Sequence, residues 1–201
     1  MTGWLSQPLV LEGRVVRLEP LTSAHVPALS EVALDPELWR WTLSVIQTVD
    51  DLRRYVDAAL AARAAGTSYP FATVDRASGR VVGTTRFCSL ETAHRKVEIG
   101  YTFVAPAWQR TPVNTEAKLL MLRHAFDVLG MNRVEFKTDA LNEKSRAALL
   151  RLGATEEGTL RAHLVTERGR IRDSVYYSVL ASEWPAVQTR LEQRLSSARP
   201  A

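Results

Sequence analysis

One stretch constrains this chain more than any other. Val97 to Val104 reads as a strand, a short loop opens at Ala105-Pro106, and the period then changes. Leu119, Leu120, Leu122, Ala125, Phe126 and Leu129 recur at helical spacing until Gly130 ends the run. Strand character returns at Val134 to Thr138. A strand, a helix and a second strand joined this tightly form a crossover, so the fold must seat a crossover among whatever else the chain builds.

The rest of the chain supplies hairpins. From Gly13, RVVRLEPL reads as a first strand closed by Pro20 and Thr22-Ser23. His25 to Leu34 and Val49 to Ala65 follow as helical stretches, with Thr48 or Asp50 as N-cap and Gly66 as stop. Tyr69 to Val74, Val81 to Leu90 and Val97 to Val104 then succeed one another across the turn signals Asp75 to Gly79 and Glu91 to Arg95, an antiparallel meander. Glu143 to Leu152 is a helix closed by Gly153. Ala154 to Thr166 and Ile171 to Leu180 form a hairpin with its tip at Glu167 to Arg170, and Ser182 to Leu195 is a terminal helix. No repeat, low-complexity segment or long linker interrupts this order. The 201 residues, 46% hydrophobic and 24% charged, exclude a disordered, collagen-like or disulfide-dense chain. The expectation is one domain over residues 12–195, between tails at 1–11 and 196–201.

The formal charge is +4, and only four of the 26 basic residues are lysine. The arginines are dispersed, as on solvated faces, with one cluster at Arg161, Arg168, Arg170 and Arg172. No Phe, Trp or Tyr interleaves these four, so direct nucleic-acid binding is not expected. The single cysteine, Cys88, has no partner for a disulfide or a zinc pattern. The start of the chain lacks both a basic n-region and an apolar stretch, so the expected location is cytoplasmic, without a membrane partner.

The strand–loop–helix unit has chemical content. Free N–H groups and the positive dipole end at a helix start suit a phosphate or pyrophosphate. In the strand, if Ile99 and Tyr101 face one side, then Glu98, Gly100 and Thr102 face the other. A carboxylate there would point to the space a glycine leaves for substrate. A carboxylate can accept the proton an ammonium must lose before its nitrogen attacks an acyl carbon. Glu98 is therefore the leading candidate for general base, against the plainer reading of a surface glutamate. His163 is the second candidate, against a structural histidine. Tyr176 and Tyr177 alternate faces, so one of them lines the site. No spacing of His, Cys, Asp or Glu indicates a metal.

These motifs occur in a telling order. EIGY at Glu98 to Tyr101, Gln109 to Asn114 followed by TEA and a leucine-rich helix, Asn142-x-x-Ser145, Leu152-Gly153-Ala154-x-x-Glu157-Gly158-x-Leu160-Arg161 and Arg172 to Ser178 together resemble the GNAT superfamily of acetyl-CoA-dependent N-acetyltransferases. The pattern is similar above all to the bacterial ribosomal-protein N-terminal (Rim-type) acetyltransferases, over roughly residues 12 to 185. The resemblance implies an α/β fold whose mixed, mostly antiparallel sheet is splayed between its fourth and fifth strands, with helices on both faces. It implies that backbone groups of Phe103 and Val104 hold the pantetheine arm, and that the loop of Gln109, Arg110, Thr111, Val113, Asn114 and Thr115 holds the pyrophosphate. Asn142 would touch the pantetheine or acetyl end and Ser145 would protonate the departing thiolate, although both also suit a helix cap and first turn. Glu98, His163 and Tyr176 would meet the amine.

One departure stands out. Pro112 and Asn114 occupy positions where the superfamily pattern has glycines, and proline removes an N–H donor, although it also suits a first helical turn. The expected activity is acetyl transfer from acetyl-CoA, with no metal, to a primary amine. An α-amine, with its pKa of about 7.7–8.0 against about 10.4 for lysine, is neutral far more often at pH 7. A ribosomal or other protein N-terminus is the expected partner, and a homodimer is left open. The alternative is a non-catalytic acyl-CoA-binding or RNA-associated protein of the same fold.

Overall fold

The computed structural model describes residues 7–197; residues 1–6 and 198–201 of the two expected tails lie outside the described residues. Eight strands form one sheet: β1 (Leu11–Glu12), β2 (Val16–Pro20), β3 (Ser68–Asp75), β4 (Val81–Glu91), β5 (Lys96–Val104), β6 (Arg133–Asp139), β7 (Thr155–Val165) and β8 (Ile171–Leu180). The helices are α1 (Val26–Ala33), α2 (Val49–Ala64), α3 (Pro112–Arg123), α4 (Glu143–Leu152) and α5 (Trp184–Ser197). The strand order is β1-β2-β3-β4-β5-β6-β8-β7. Only β5 and β6 run parallel, joined by α3, which is the crossover expected from the change of period.

Both faces of the sheet are covered. Side chains alternate across a strand, so Phe71 of β3 packs with α3 and α5, among Val113, Met121 and Leu191, while its neighbour Ala72 packs with α1 and α2, among Leu29, Leu52 and Val56. Phe103 of β5 lies on the α1/α2 side, and Val97 and Ile99 lie on the α3 side.

The first strand differs from the expected one. Pairing of β2 starts at Val16, because the amides of Arg14, Val15 and Val16 donate to the carboxylate of Glu116 on α3, at 2.9, 2.6 and 2.7 Å. The chain turns there, and Leu11–Glu12 folds back as the short β1. A Cβ on Gly13 would fall 2.4 Å from the Glu116 carboxyl, so a larger residue would displace the carboxylate that binds this turn. The helix after the loop also differs. It is α-helical from Pro112 to Arg123 and then widens into a π turn over His124–Val128, with Leu129 N–H donating to His124 O at 3.0 Å.

Candidate active site

The site lies where β5 and β6 part. Their pairing covers only Lys96↔Arg133 to Glu98↔Glu135; beyond it, β5 follows β4 and β6 follows β8. Ala105 N–H donates to Val82 O at 2.8 Å. By the alternation of an antiparallel ladder, the N–H and C=O of Val104 then point away from β4, into the splay. Gln109 Nε2 donates to that Val104 oxygen at 3.0 Å, which leaves the Val104 amide as the open donor. The Phe103 amide belongs to the β4 ladder by the same alternation, and its ring is buried 5.1 Å from Trp39.

The loop beyond β5 is built to start a helix. Thr111 is the N-cap of α3: its hydroxyl donates to Trp108 O at 2.7 Å and accepts from Val113 N–H at 3.4 Å. Pro112 occupies the first helical position, where its missing N–H would have had no intrahelical partner. Thr115 N–H, at the fourth helical position, belongs to the first intrahelical bond. The amides of Thr111 and Asn114 are the donors this helix start leaves over. Arg110 holds the left-handed region at φ +63°, the conformation a glycine would adopt without cost. Asn114 Oδ1 is buried with no hydrogen-bond partner among the described residues. Free amides at a helix start fit a phosphate-bearing group, whereas the Asn114 oxygen, an acceptor, calls for a donor.

Two bulges bracket Glu98. On β4 an extra residue sits between Cys88 and Glu91, with Ser89 at φ +49°; on β5 an extra residue sits between Gly100 and Phe103, with Tyr101 at φ +50°. The second bulge corrects the simple alternation. Tyr101 turns onto the face that carries Glu98, Gly100 and Phe103, and Thr102 turns to the other face, where it meets Lys118 of α3. A bulge adds a residue to one strand and so shifts the pleat.

Glu98 is buried, and its Oε2 accepts from Lys137 Nζ at 3.0 Å and from Ser89 Oγ at 3.3 Å. Its Oε1 makes no hydrogen bond among the described residues and lies over Gly100, 2.8 Å from where a Cβ would stand. A carboxylate has lone pairs for about four donors, so Oε1 is available to a proton. Burial works against the charge of Lys137, but the charge and hydrogen bond of Glu98 outweigh it and hold the ammonium above the usual lysine range. Cys88, opposite Glu98, is pushed up to about 12 by burial and by the Glu98 charge, and stays a thiol.

Of the other expected residues, Tyr176 and His163 connect to this centre through Lys137, while Tyr177, Asn142 and Ser145 make no hydrogen bond or ring contact with it among the described residues. Tyr176 pairs with Lys137 across β6 and β8, and the His163 ring lies edge-on to Tyr176 at 5.7 Å. His163 Nδ1 is buried without a hydrogen-bond partner among the described residues. Tyr177 faces the core and donates to Glu156 at 2.8 Å. Asn142 is the N-cap of α4, just past the end of β6, and accepts from Ser145 N–H at 3.1 Å. Ser145 Oγ makes no hydrogen bond among the described residues. In the basic hairpin, Arg170 is committed to an ion pair with the buried Asp139 and sits 5.5 Å from the Trp41 ring, so an aromatic does accompany it, from a distant segment. The hairpin tip docks on the loop before α2 through Glu167 N–H to Leu43 O, 3.0 Å, and Val45 N–H to Glu167 Oε2, 2.7 Å. A depression of about 770 Å³ lies at the other end of the parallel pair, beside Lys96 and Arg133, and has no part in this arrangement.

Sequence reasoning missed Lys137 and Arg86. The signal for Lys137 was present: Glu135, Lys137 and Asp139 stand two apart on a central strand, and a charged row there needs partners. Arg86 stands alone in the middle of β4, within the otherwise uncharged run Val81 to Leu90.

A sheet splayed around one parallel pair, with free amides in the gap and a helix start beside it, defines an acyltransferase-type fold. The model of the acetyltransferase (GNAT) domain matches residues 16–155, and the chain belongs to that family. Among curated proteins it is similar to "Putative ribosomal N-acetyltransferase YdaF" of Bacillus subtilis (strain 168), 38% identical over 106 residues, or 53% of this chain and 57% of that one. The match thus spans little more than half the length of that relative. Among solved structures, it resembles a GCN5-related N-acetyltransferase from Brucella melitensis (34% identity, TM-score 0.86, covering 95% of this chain and 87% of that one). It also resembles Mycobacterium smegmatis RimJ in complex with CoA-disulfide (26% identity, TM-score 0.76, covering 94% and 93%). Among the described residues no cluster of potential ligands would hold a metal, and no helix is long and apolar enough to cross a membrane.

Proposed function

We propose that this chain transfers an acetyl group from acetyl-CoA directly to a primary amine, and that the acceptor is the α-amine of a protein or peptide. The observation that carries this reading is Glu98 Oε1, unengaged over Gly100 beside the parted strands, while Oε2 is clamped by Lys137 and Ser89. Glu98 takes a proton from the incoming ammonium, directly or through one water, and the freed lone pair attacks the thioester carbonyl. The Val104 amide orients the pantetheine arm and the amides of Thr111 and Asn114 hold the pyrophosphate. As the C–S bond breaks, Ser145 passes its hydroxyl proton to the departing thiolate and takes in its place the second proton that the acylated nitrogen gives up.

The name of the relative YdaF, "Putative ribosomal N-acetyltransferase", supports a ribosomal-protein substrate. So does the lower pKa of an α-amine relative to lysine. His163, with its unpartnered Nδ1 beside Tyr176, is the competing base. Mass spectrometry of a library of peptides and metabolite amines incubated with the protein and acetyl-CoA tests this reading. A gain of one acetyl group on peptide N-termini is expected; acetylation confined to lysine side chains or to non-peptide amines would refute the assignment of acceptor.

A further inference from the structure

Arg86 lies on β4, directly opposite Gly100 and two residue pairs from Cys88 and Glu98, a displacement of ~7 Å along the strand. It is only 7% exposed. Among the described residues it forms no ion pair and no side-chain hydrogen bond. Its guanidinium is instead stacked between two rings, 3.9 Å from the centroid of Tyr101 and 5.1 Å from that of Tyr55 on α2. The β5 bulge puts Tyr101 there, and Tyr55 OH fixes the bulge by donating to Tyr101 O at 3.3 Å.

Aromatic faces satisfy the flat sides of a guanidinium and leave its in-plane N–H groups unused. None of its nitrogens is among the buried side-chain atoms without a partner, so these donors open onto the cleft and are free to meet an incoming anion. Other charges at this spot do not serve. Glu98 ion-pairs with Lys137 through Oε2 and forms no ion pair with Arg86, and Asp139 is taken by Arg170. The face beside Glu98 therefore carries Arg86 and Lys137 against one carboxylate. The planar fork of an arginine matches a carboxylate with two parallel bonds.

The geometry points to a carboxylate-bearing acceptor: Arg86 binds a carboxylate set within ~7 Å of the amine that Glu98 deprotonates, and so selects amines flanked by an acidic group. This rests on the proposed amine acetylation. The carboxylate has two sources, the side chain of an acidic residue at the start of a peptide, or the carboxyl group of a free amino acid.

The test compares matched acceptors with saturating acetyl-CoA. Ser-Asp-Ala-amide is set against Ser-Asn-Ala-amide, and free aspartate and glutamate against their fully amidated forms, with wild type, Arg86→Met and Arg86→Lys. Wild type is expected to favour the acid over the amide by about tenfold to a hundredfold in kcat/KM, chiefly through KM, as for a hydrogen-bonded charge pair. Arg86→Met should bring that ratio to about one, and Arg86→Lys should keep part of it. If Arg86→Met fails to fold, the wild-type ratio and that of Arg86→Lys decide. Preference within the peptides alone, or within the free amino acids alone, identifies the source. Equal kcat/KM on acid and amide in wild type, or an unchanged ratio in a folded Arg86→Met, overturns the inference alone. No transfer to any amine overturns it together with the proposed function.

Discussion

Lys118 shows how much a single residue can be asked to tolerate. It lies on α3, only 5% exposed, and its ammonium donates to Thr85 at 3.0 Å and Thr102 at 2.7 Å, with no carboxylate in reach. Burial pulls its pKa down to about 7, against a small upward push from Cys88. The unfolded chain keeps that proton to about pH 10.5. Between about 7 and 10.5 the unfolded state therefore binds more protons than the folded one, and stability rises with pH. The penalty is fully present below about 7 and is lifted as pH climbs. Lys118→Met removes the titrating group and leaves the two hydroxyls bonded to each other at 2.8 Å. Urea unfolding at pH 6 and pH 9 should show wild type gaining on the variant by on the order of 2 kcal/mol over that interval. Parallel pH curves would mean that Lys118 stays charged throughout.

At the scale of elements, the start of α3 carries two demands, a stable helix and a set of donors. Pro112 serves the first: its φ is already helical, and it restricts the unfolded chain. Pro112→Gly should lower Tm without ligand, by up to about 1 kcal/mol of stability, while the restored N–H leaves acetyl-CoA binding at least as tight. Calorimetry on both proteins separates the two effects; weaker binding by the variant would show that the proline preorganises the donors. The crossover, the meander and the terminal hairpin were legible in the sequence because each rests on periodicity and on local turn residues, whereas helices on both faces followed only from the family resemblance. The bulges at Ser89 and Tyr101 were not. Neither position carries the Gly, Asn or Asp that marks a positive φ, and the register that forces them comes from the neighbouring strand. The alternation along β5 therefore placed Glu98 and Gly100 together but put Tyr101 and Thr102 on the wrong faces. The start of β2 was hidden for the same reason, since Glu116 binds it from a hundred residues away.

Across the whole molecule, the charged face depends on strands that are distant in sequence. Lys137 and Asp139 stand two apart on β6, and each meets an opposite charge from another element: Glu98 from β5, and Arg170 from the end of the β7–β8 hairpin. Breaking a buried pair leaves a charge uncompensated, so the hairpin, the loop before α2 and the two parted strands hold the carboxylate of Glu98 in one place. On the proposed assignment, a base fixed in this way would act on the amine and leave the cofactor contacts to Val104, Thr111 and Asn114. The most direct measurement is therefore Glu98→Gln, with kcat on a peptide acceptor and Kd for acetyl-CoA determined side by side from pH 6 to pH 9. The expected result is a kcat lower by about 10²- to 10⁴-fold, as for loss of a general base, with Kd nearly unchanged. A Glu98→Gln enzyme that keeps the full rate over this range, while His163→Ala loses it, would contradict the assignment and make His163 the base.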